Sequence, residues 1–252
     1  MGKIIATQAL QAESRQLIVG TADLYGVHRK LIALACMLVL AHCAAMALKY
    51  YAGNDMALGL VPLFDFYEEH NAPTYFSSLN LLLTSALLFA IARLTRAGGS
   101  DKGTAWRILA AGFLFMSIDE FADLRIILSK MVKAVAGAHF EAVPVLSVAW
   151  TIPVAAIVVA VTLYMIPFLL RLKKVYMLNF VLAGAAFVFA AIGFETIEGH
   201  HVAQTGGVRD VAFMLMVTAE ETMEIFSILY FQYFVLRYIN EYHRGVYVRL
   251  SY

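Results

Sequence analysis

The side chains best suited to chemistry in this sequence are carboxylates and histidines that interrupt long apolar runs. One such run ends in AIGFETIEGHHV, which carries Glu195, Glu198, His200 and His201. An ionisable group at membrane depth is costly to keep, and a chain that keeps several usually uses them. The stretch therefore raises the question of what holds these four groups.

Two further acidic patches occur inside apolar runs, again at helical spacing. They are Asp119, Glu120 and Asp123 in FMSIDEFADLR, and Glu220, Glu221 and Glu224 in VTAEETMEIFS. Side chains three or four residues apart lie on the same side of a helix. Isolated carboxylates do not stay ionised in hydrocarbon, so each patch needs shared protons, a neighbouring cation or a bound metal.

A divalent metal would account for the surplus of acidic groups. Mixed carboxylate and imidazole ligands suit Zn, Fe or Mn. Glu198 and His201 have the spacing of an ExxH metal pair, provided that the helix continues through Gly199. The predicted metal ligands are Glu120, Asp123, Glu195, Glu198, His200, His201, Glu221 and Glu224, with Asp119, Glu220 and Arg125 as supporting or ion-pairing residues.

The composition indicates the environment of these groups. The chain has 252 residues, 62% hydrophobic and 15% charged, with a mean hydropathy of +0.75. These values lie outside the balance of soluble domains, so the sequence predicts an integral membrane protein whose first partner is the lipid bilayer. The net charge is +1 and the basic residues are scattered, which argues against nucleic-acid binding.

Six segments are long and apolar enough to cross about 30 Å of hydrocarbon, which predicts an all-α polytopic membrane helical bundle. The segments are residues 30–52, 73–95, 105–128, 143–171, 174–198 and 210–239. The remaining residues form an N-terminal segment, 1–29, and a C-terminal tail, 240–252, on either side of a transmembrane domain, 30–239. Segment 1–29 has the composition of a helix lying on the membrane surface, with a mobile tail as the alternative.

The basic residues predict the orientation of the chain. Most Lys and Arg residues fall on the side of the N-terminus, so both termini are predicted to be cytoplasmic. Most Asp and Glu residues then collect in outer loops and outer halves of spans, which the charge rule does not require. The three acidic patches lie at similar depth and are predicted to form one outward-facing cluster.

The quoted acidic segments, together with FDFYEEHNAPTYFSSLNLLLTSALL, resemble an uncharacterised family of bacterial multi-pass membrane proteins. In that family the third span reads S-x-D-E followed by His-Glu, and the last span carries E-E-x-x-E. Ser117, Asp119 and Glu120 match the first motif, but Arg125 and Ile126 stand where the family has His-Glu. The resemblance implies a bacterial cytoplasmic membrane location. It supports the cluster, and the arginine favours an ion-paired core over a metal.

Three functions stay open at this point. The first is a metal site with redox or hydrolytic activity on a lipidic substrate, and the second is an accessory subunit of a larger membrane complex or a homo-oligomer. The third, a proton or cation transporter, fits less well because the inner halves of the spans are nearly all apolar. Familiar catalytic signatures such as GxSxG and HExxH are absent, which leaves enzyme status open. His42, inside the first span, is either a core histidine with satisfied hydrogen bonds or a cofactor ligand, and we favour the core histidine.

Overall fold

The structure is a computed structural model that describes residues 16–19, 21–97, 103–136, 151–243 and 246–249. Helices form almost all of its regular elements. They are α1 (Thr21–Tyr51), α2 (Leu60–Phe64), α3 (Ala72–Ala97), α4 (Gly103–Ala122), α5 (Leu124–Ala136), α6 (Thr151–Leu170), α7 (Lys174–Val188), α8 (Glu195–Gln204) and α9 (Val211–His243). A 3₁₀ turn, Ala57–Gly59, precedes α2, and a π turn, Phe189–Phe194, joins α7 to α8.

The two ends of the described chain meet in a short antiparallel sheet. Strand β1 (Gln16–Val19) pairs with β2 (Val246–Arg249). Helix α1 begins at Thr21, so it includes residues that the sequence analysis placed before the first span. Residues 1–15, 143–150 and 250–252, which belong to the predicted N-terminal segment, fourth span and C-terminal tail, lie outside the described residues.

Within the described ranges, four helical stretches are long and apolar enough to cross a membrane. They are Asp23–Tyr51, Ala72–Arg96, Thr151–Leu170 and Lys174–Gln204. Apart from the short sheet of β1 and β2, the predicted helical class is therefore confirmed, and it is compatible with an integral membrane protein. Helices α4 and α9, which the six-span prediction also counts, carry the acidic patches.

Helix α9 is the central element of the bundle. It packs against α1, α3, α7 and the π turn, while α3 and α4 pack tightly against each other. One half of the core surrounds Trp106 and Tyr176, both fully buried, and the other half surrounds Ala35 and Ile225. Most large side chains of α6 are exposed, as expected of a helix that faces lipid.

Small polar side chains join α3 to α4. The hydroxyls of Ser78 and Ser117 each donate to the other residue's backbone carbonyl at 2.8 Å, and Ser85 donates to the carbonyl of Ala110 at 2.7 Å. Small residues let two helices approach closely, and their hydrogen bonds reinforce membrane helix packing. This packing sets the rotation of α4 and therefore the direction of its acidic patch.

Candidate functional site

The third predicted span, 105–128, is broken at Asp123. Helix α4 ends at Ala122, Asp123 has a left-handed φ of 50°, and α5 begins at Leu124. The backbone N–H of Arg125 donates to the Asp119 carboxylate at 3.0 Å, which caps the new helix. The break turns Arg125 back toward the carboxylates of its own segment.

Arg125 lies at the centre of one acidic group. Its guanidinium donates to Glu69 and lies 3.8 Å from Asp123, and its charge also interacts with Glu120, Glu221 and Glu224. We call this set the arginine group: Arg125, Glu69, Asp119, Glu120, Asp123, Glu221 and Glu224. A guanidinium stays protonated in proteins, so this group has a permanent counter-charge.

Glu69 reaches Arg125 because the loop before α3 is held in place. Lys49 pairs with the buried carboxylate of Asp65 at 2.8 Å, and the Asn71 amide donates to the Asp65 carbonyl at 2.6 Å. Burial raises the pKa of the Glu69 carboxyl above its usual range, while the Arg125 guanidinium opposes that rise. Glu69 was not among the predicted site residues, because a loop that folds back onto a helix has no periodic signal in the sequence.

A second acidic group forms where the π turn meets α9. Oxygen atoms of Glu195, Glu198 and Glu220 all lie within 4.8 Å of one another. We call these three residues the triple-carboxylate group. The π turn just before Glu195 is wider than an α-helical turn, so it changes which side of α8 faces α9. Glu195 and Glu198 lie on the side that faces α9.

The triple-carboxylate group is buried and incompletely satisfied. Glu198 is 6% exposed and Glu220 is 8% exposed. Oxygen Oε1 of Glu198 nevertheless has no hydrogen-bond partner. Among the described residues, no lysine or arginine forms a salt bridge with Glu198 or Glu220. A buried carboxylate oxygen without a partner needs an explanation, and the capacity to bind a cation is one.

Adjacent glutamates on α9 serve different groups. Glu220 belongs to the triple-carboxylate group, whereas Glu221 and Glu224 face Arg125. Successive side chains on a helix point about 100° apart, so neighbours in sequence cannot share one site. The E-E-x-x-E spacing of Glu220, Glu221 and Glu224 therefore serves both the triple-carboxylate group and the arginine group.

The two adjacent histidines point elsewhere. Nε2 of His201 lies 2.9 Å from Asp210, and Nε2 of His200 lies 2.9 Å from the Gln204 amide. Asp210 also accepts the backbone N–H of Phe213 at the start of α9, and these two contacts lower the pKa of its carboxyl. His201 therefore links α8 to the residue before α9, whereas His200 bonds within α8.

His42 is a satisfied core histidine, as predicted. It is fully buried, its Nδ1 accepts the N–H of Phe66 at 3.1 Å, and its Nε2 contacts the Thr218 hydroxyl at 2.9 Å. Its ring also stacks on Phe66 at 4.1 Å. Both ring nitrogens are in use, so His42 has none left for a ligand.

The structure thus distributes the predicted ligands over three places. Glu195 and Glu198 join Glu220, which the sequence analysis had given only a supporting role. Glu120, Asp123, Glu221 and Glu224 lie in the arginine group, and His200 and His201 lie in the second half of α8. The triple-carboxylate group offers three negatively charged oxygen ligands at one point, whereas the arginine group is an extended ion pair.

Comparison with known proteins gives one result. No curated protein and no solved structure matches the chain. The family model for a domain of unknown function, DUF8692, matches residues 31–238, which includes every residue of both acidic groups. The match covers most of the chain, and the chain belongs to the DUF8692 family.

Proposed function

We propose that this protein is a membrane-embedded cation-binding protein whose site is the triple-carboxylate group. The observation that carries the proposal is the unpartnered Oε1 of Glu198, 6% exposed, inside a set of three carboxylates within 4.8 Å. Three carboxylates cannot all be ionised at that separation without a cation. A divalent ion would satisfy the orphaned oxygen and balance the charge.

The donor set favours a hard metal. The sequence suggested Zn, Fe or Mn from mixed carboxylate and imidazole ligands, but the three grouped side chains supply oxygen only. Carboxylate oxygens suit Mn²⁺ better than Zn²⁺, for which imidazole and thiolate are the usual ligands. Mn²⁺ is therefore the proposed ion, and Glu195, Glu198 and Glu220 are its proposed ligands.

The arginine group supports this assignment, because its cation is already engaged. Arg125 pairs with Glu69 and interacts with Glu120 and Glu221. Arg125 therefore balances part of the charge of the acids around it, whereas the two buried carboxylates of the triple-carboxylate group have no salt bridge to a lysine or arginine among the described residues. A metal site and an ion-paired core exist side by side in this interpretation.

The site's position suits chemistry on a lipidic substrate. A bound Mn²⁺ supplies Lewis-acid or one-electron redox chemistry. The chain's own contribution is to hold three oxygen ligands, to bury them, and to exclude bulk water with the apolar core around Ile225 and Val217. A buried ion in such a setting acts on molecules that reach it from the bilayer.

The test is metal binding by the purified protein in detergent. After loading with Mn²⁺ and removal of free ion, wild type is expected to retain about one ion per chain, and Glu198→Gln and Glu220→Gln to lose at least about tenfold in affinity. Glu68→Gln, which changes an exposed loop carboxylate, serves as the matched control. Absence of stoichiometric Mn²⁺ from wild type would reject the proposal in favour of a cluster held by shared protons.

The proposed setting is a six-span bundle in a bacterial cytoplasmic membrane with both termini in the cytoplasm. Most Lys and Arg residues fall on the membrane side that holds the two termini, which supports the orientation. Helix α9 has 33 residues, which is long enough for a sixth span. Fusion of green fluorescent protein or alkaline phosphatase after Tyr252 should give fluorescence without phosphatase activity. A phosphatase insertion between Gly206 and Gly207 should be active, and the reverse pattern would invert the topology.

A further inference from the structure

A groove lies between α1 and α9, on residues that belong to neither acidic group. Its volume is about 680 Å³, within the range of small-molecule sites. The groove is open to the surroundings, since Tyr230 is 38% exposed and Tyr233 is 42% exposed. Its lining includes Tyr25, Arg29 and Ile32 of α1, and Phe226, Tyr230 and Tyr233 of α9.

The two ends of the groove differ in polarity. At one end the rings of Tyr25 and Tyr233 meet, with their centroids 6.1 Å apart. Ile32 lies seven residues after Tyr25 on α1, and Phe226 lies seven residues before Tyr233 on α9, so each is about 10 Å further along its helix. The groove therefore runs from a pair of tyrosines to an end formed by purely apolar side chains.

Arg29 gives the groove a cation that pairs with no described carboxylate. Its side chain lines the groove and is exposed, and among the described residues no Asp or Glu forms a salt bridge with it. The described lining contains no Asp or Glu either. Asp23, the nearest acid along α1, precedes Tyr25 by two residues and so faces about 200° away from it. The stem of an arginine can lie along apolar surface while its guanidinium reaches the polar interface.

Two further basic residues lie near the tyrosine end of the groove. They are Lys30, next in sequence to the arginine of the groove, and Arg237, one turn after Tyr233 on α9. Both are exposed, and neither forms a salt bridge with a described carboxylate. Glu241, one turn further along α9, is already paired with Lys173. The tyrosine end thus carries an excess of positive charge.

A ligand that matches this groove is an amphiphile with an anionic head. A guanidinium donates two parallel hydrogen bonds to a phosphate, and the apolar end suits a hydrocarbon chain. Tyrosine rings are enriched where the headgroup region of a bilayer meets its hydrocarbon. A zwitterionic headgroup fits less well, because its ammonium group would meet the cations around the groove. Basic pockets between membrane helices are known as sites for anionic lipid headgroups.

We propose that this groove is a binding site for an anionic phospholipid. The phosphodiester accepts hydrogen bonds from Arg29, and one acyl chain lies between the two helices along Ile32 and Phe226. The inference depends on the proposed membrane setting and on none of the carboxylates of the proposed metal site.

The experiment measures lipid binding by native mass spectrometry of the purified protein in detergent, in separate titrations with dioleoylphosphatidylglycerol and dioleoylphosphatidylcholine. Wild type should bind the first phosphatidylglycerol about tenfold more tightly than the first phosphatidylcholine, as expected of one charge-assisted pair. Arg29→Gln should reduce that preference to about twofold or less. Arg29→Lys keeps the charge but loses the paired donors, so its preference should fall between the two.

Arg93→Gln, which removes an exposed arginine of α3 outside the groove, is the matched control and should behave as wild type. Ile32→Trp fills the apolar end and should weaken binding of both lipids. Equal preferences in wild type and Arg29→Gln would overturn the proposal, because the lipid would then respond only to the general charge of the surface. Undiminished phosphatidylglycerol binding by Ile32→Trp would overturn it too, by placing the acyl chain elsewhere. Failure of Mn²⁺ binding leaves these outcomes unchanged, so the two proposals fail separately.

Discussion

Replacement of Glu198 by glutamine distinguishes a metal ligand from a structural carboxylate. The change preserves size and removes one negative charge from three carboxylates that lie within 4.8 Å of one another. At an effective dielectric constant of about 20, two unit charges at about that distance repel by roughly 3.5 kcal/mol. Proton sharing with Glu220 relieves much of this repulsion, so we expect the metal-free variant to gain about 1 to 2 kcal/mol of stability.

The gain is measurable as a change in unfolding temperature. For a chain of this size, 1 kcal/mol corresponds to about 2 to 4 °C. Metal-free Glu198→Gln should therefore unfold about 2 to 8 °C above metal-free wild type. The measurement is intrinsic fluorescence during heating in detergent with EDTA.

Addition of Mn²⁺ should reverse the order of the two proteins. At about 100 times its dissociation constant, a ligand stabilises the folded state by about 2.7 kcal/mol, or about 5 to 10 °C here. Wild type should show this increase, whereas Glu198→Gln should show little, and Glu68→Gln should follow wild type. A metal-free variant less stable than wild type would refute the reasoning, because Glu198 would then neutralise a cation within the fold. An undiminished Mn²⁺ response would refute it too.

Two further predictions concern Arg125 and Asp210. Arg125→Gln leaves Glu69 and its acidic neighbours without their cation and should destabilise the protein by about 2 to 3 kcal/mol, a value reduced for the 29% exposure of the side chain. Chemical unfolding checks this against Lys130→Gln on the same helix, and equal stabilities would contradict it. Asp210→Ala removes the acceptor for the Phe213 N–H at the start of α9 and should lower the unfolding temperature at pH 7. Because folding depresses the pKa of Asp210, its contribution is present above the unfolded value of about 3.9 and is lost as pH falls through the folded value, so the two proteins should converge below about pH 4. A difference that persists at low pH would contradict the linkage.

Much of the helical framework was predictable from local patterns. Long apolar runs predicted helices, and those starting near Lys30, Pro73 and Lys174 correspond to α1, α3 and α7. The break at Asp123 was not predictable, because FMSIDEFADLR continues the apolar periodicity through that residue. A left-handed aspartate within such a run depends on the packing and charges around it.

The sequence by itself determined which carboxylates are embedded, and it placed Glu195 with Glu198, and Glu220 with Glu224, on shared helix sides. Local spacing is enough for this, since one helical turn brings such residues together. Only the tertiary structure decided that Glu220 joins Glu195 and Glu198 while Glu224 faces Arg125. That choice depends on the rotation of each helix about its axis, on the π turn before Glu195 and on the loop that brings in Glu69. Helix rotation, the π turn and the loop position are set by packing between segments that are distant in sequence. The spacing of residues along the sequence carries no signal for such packing.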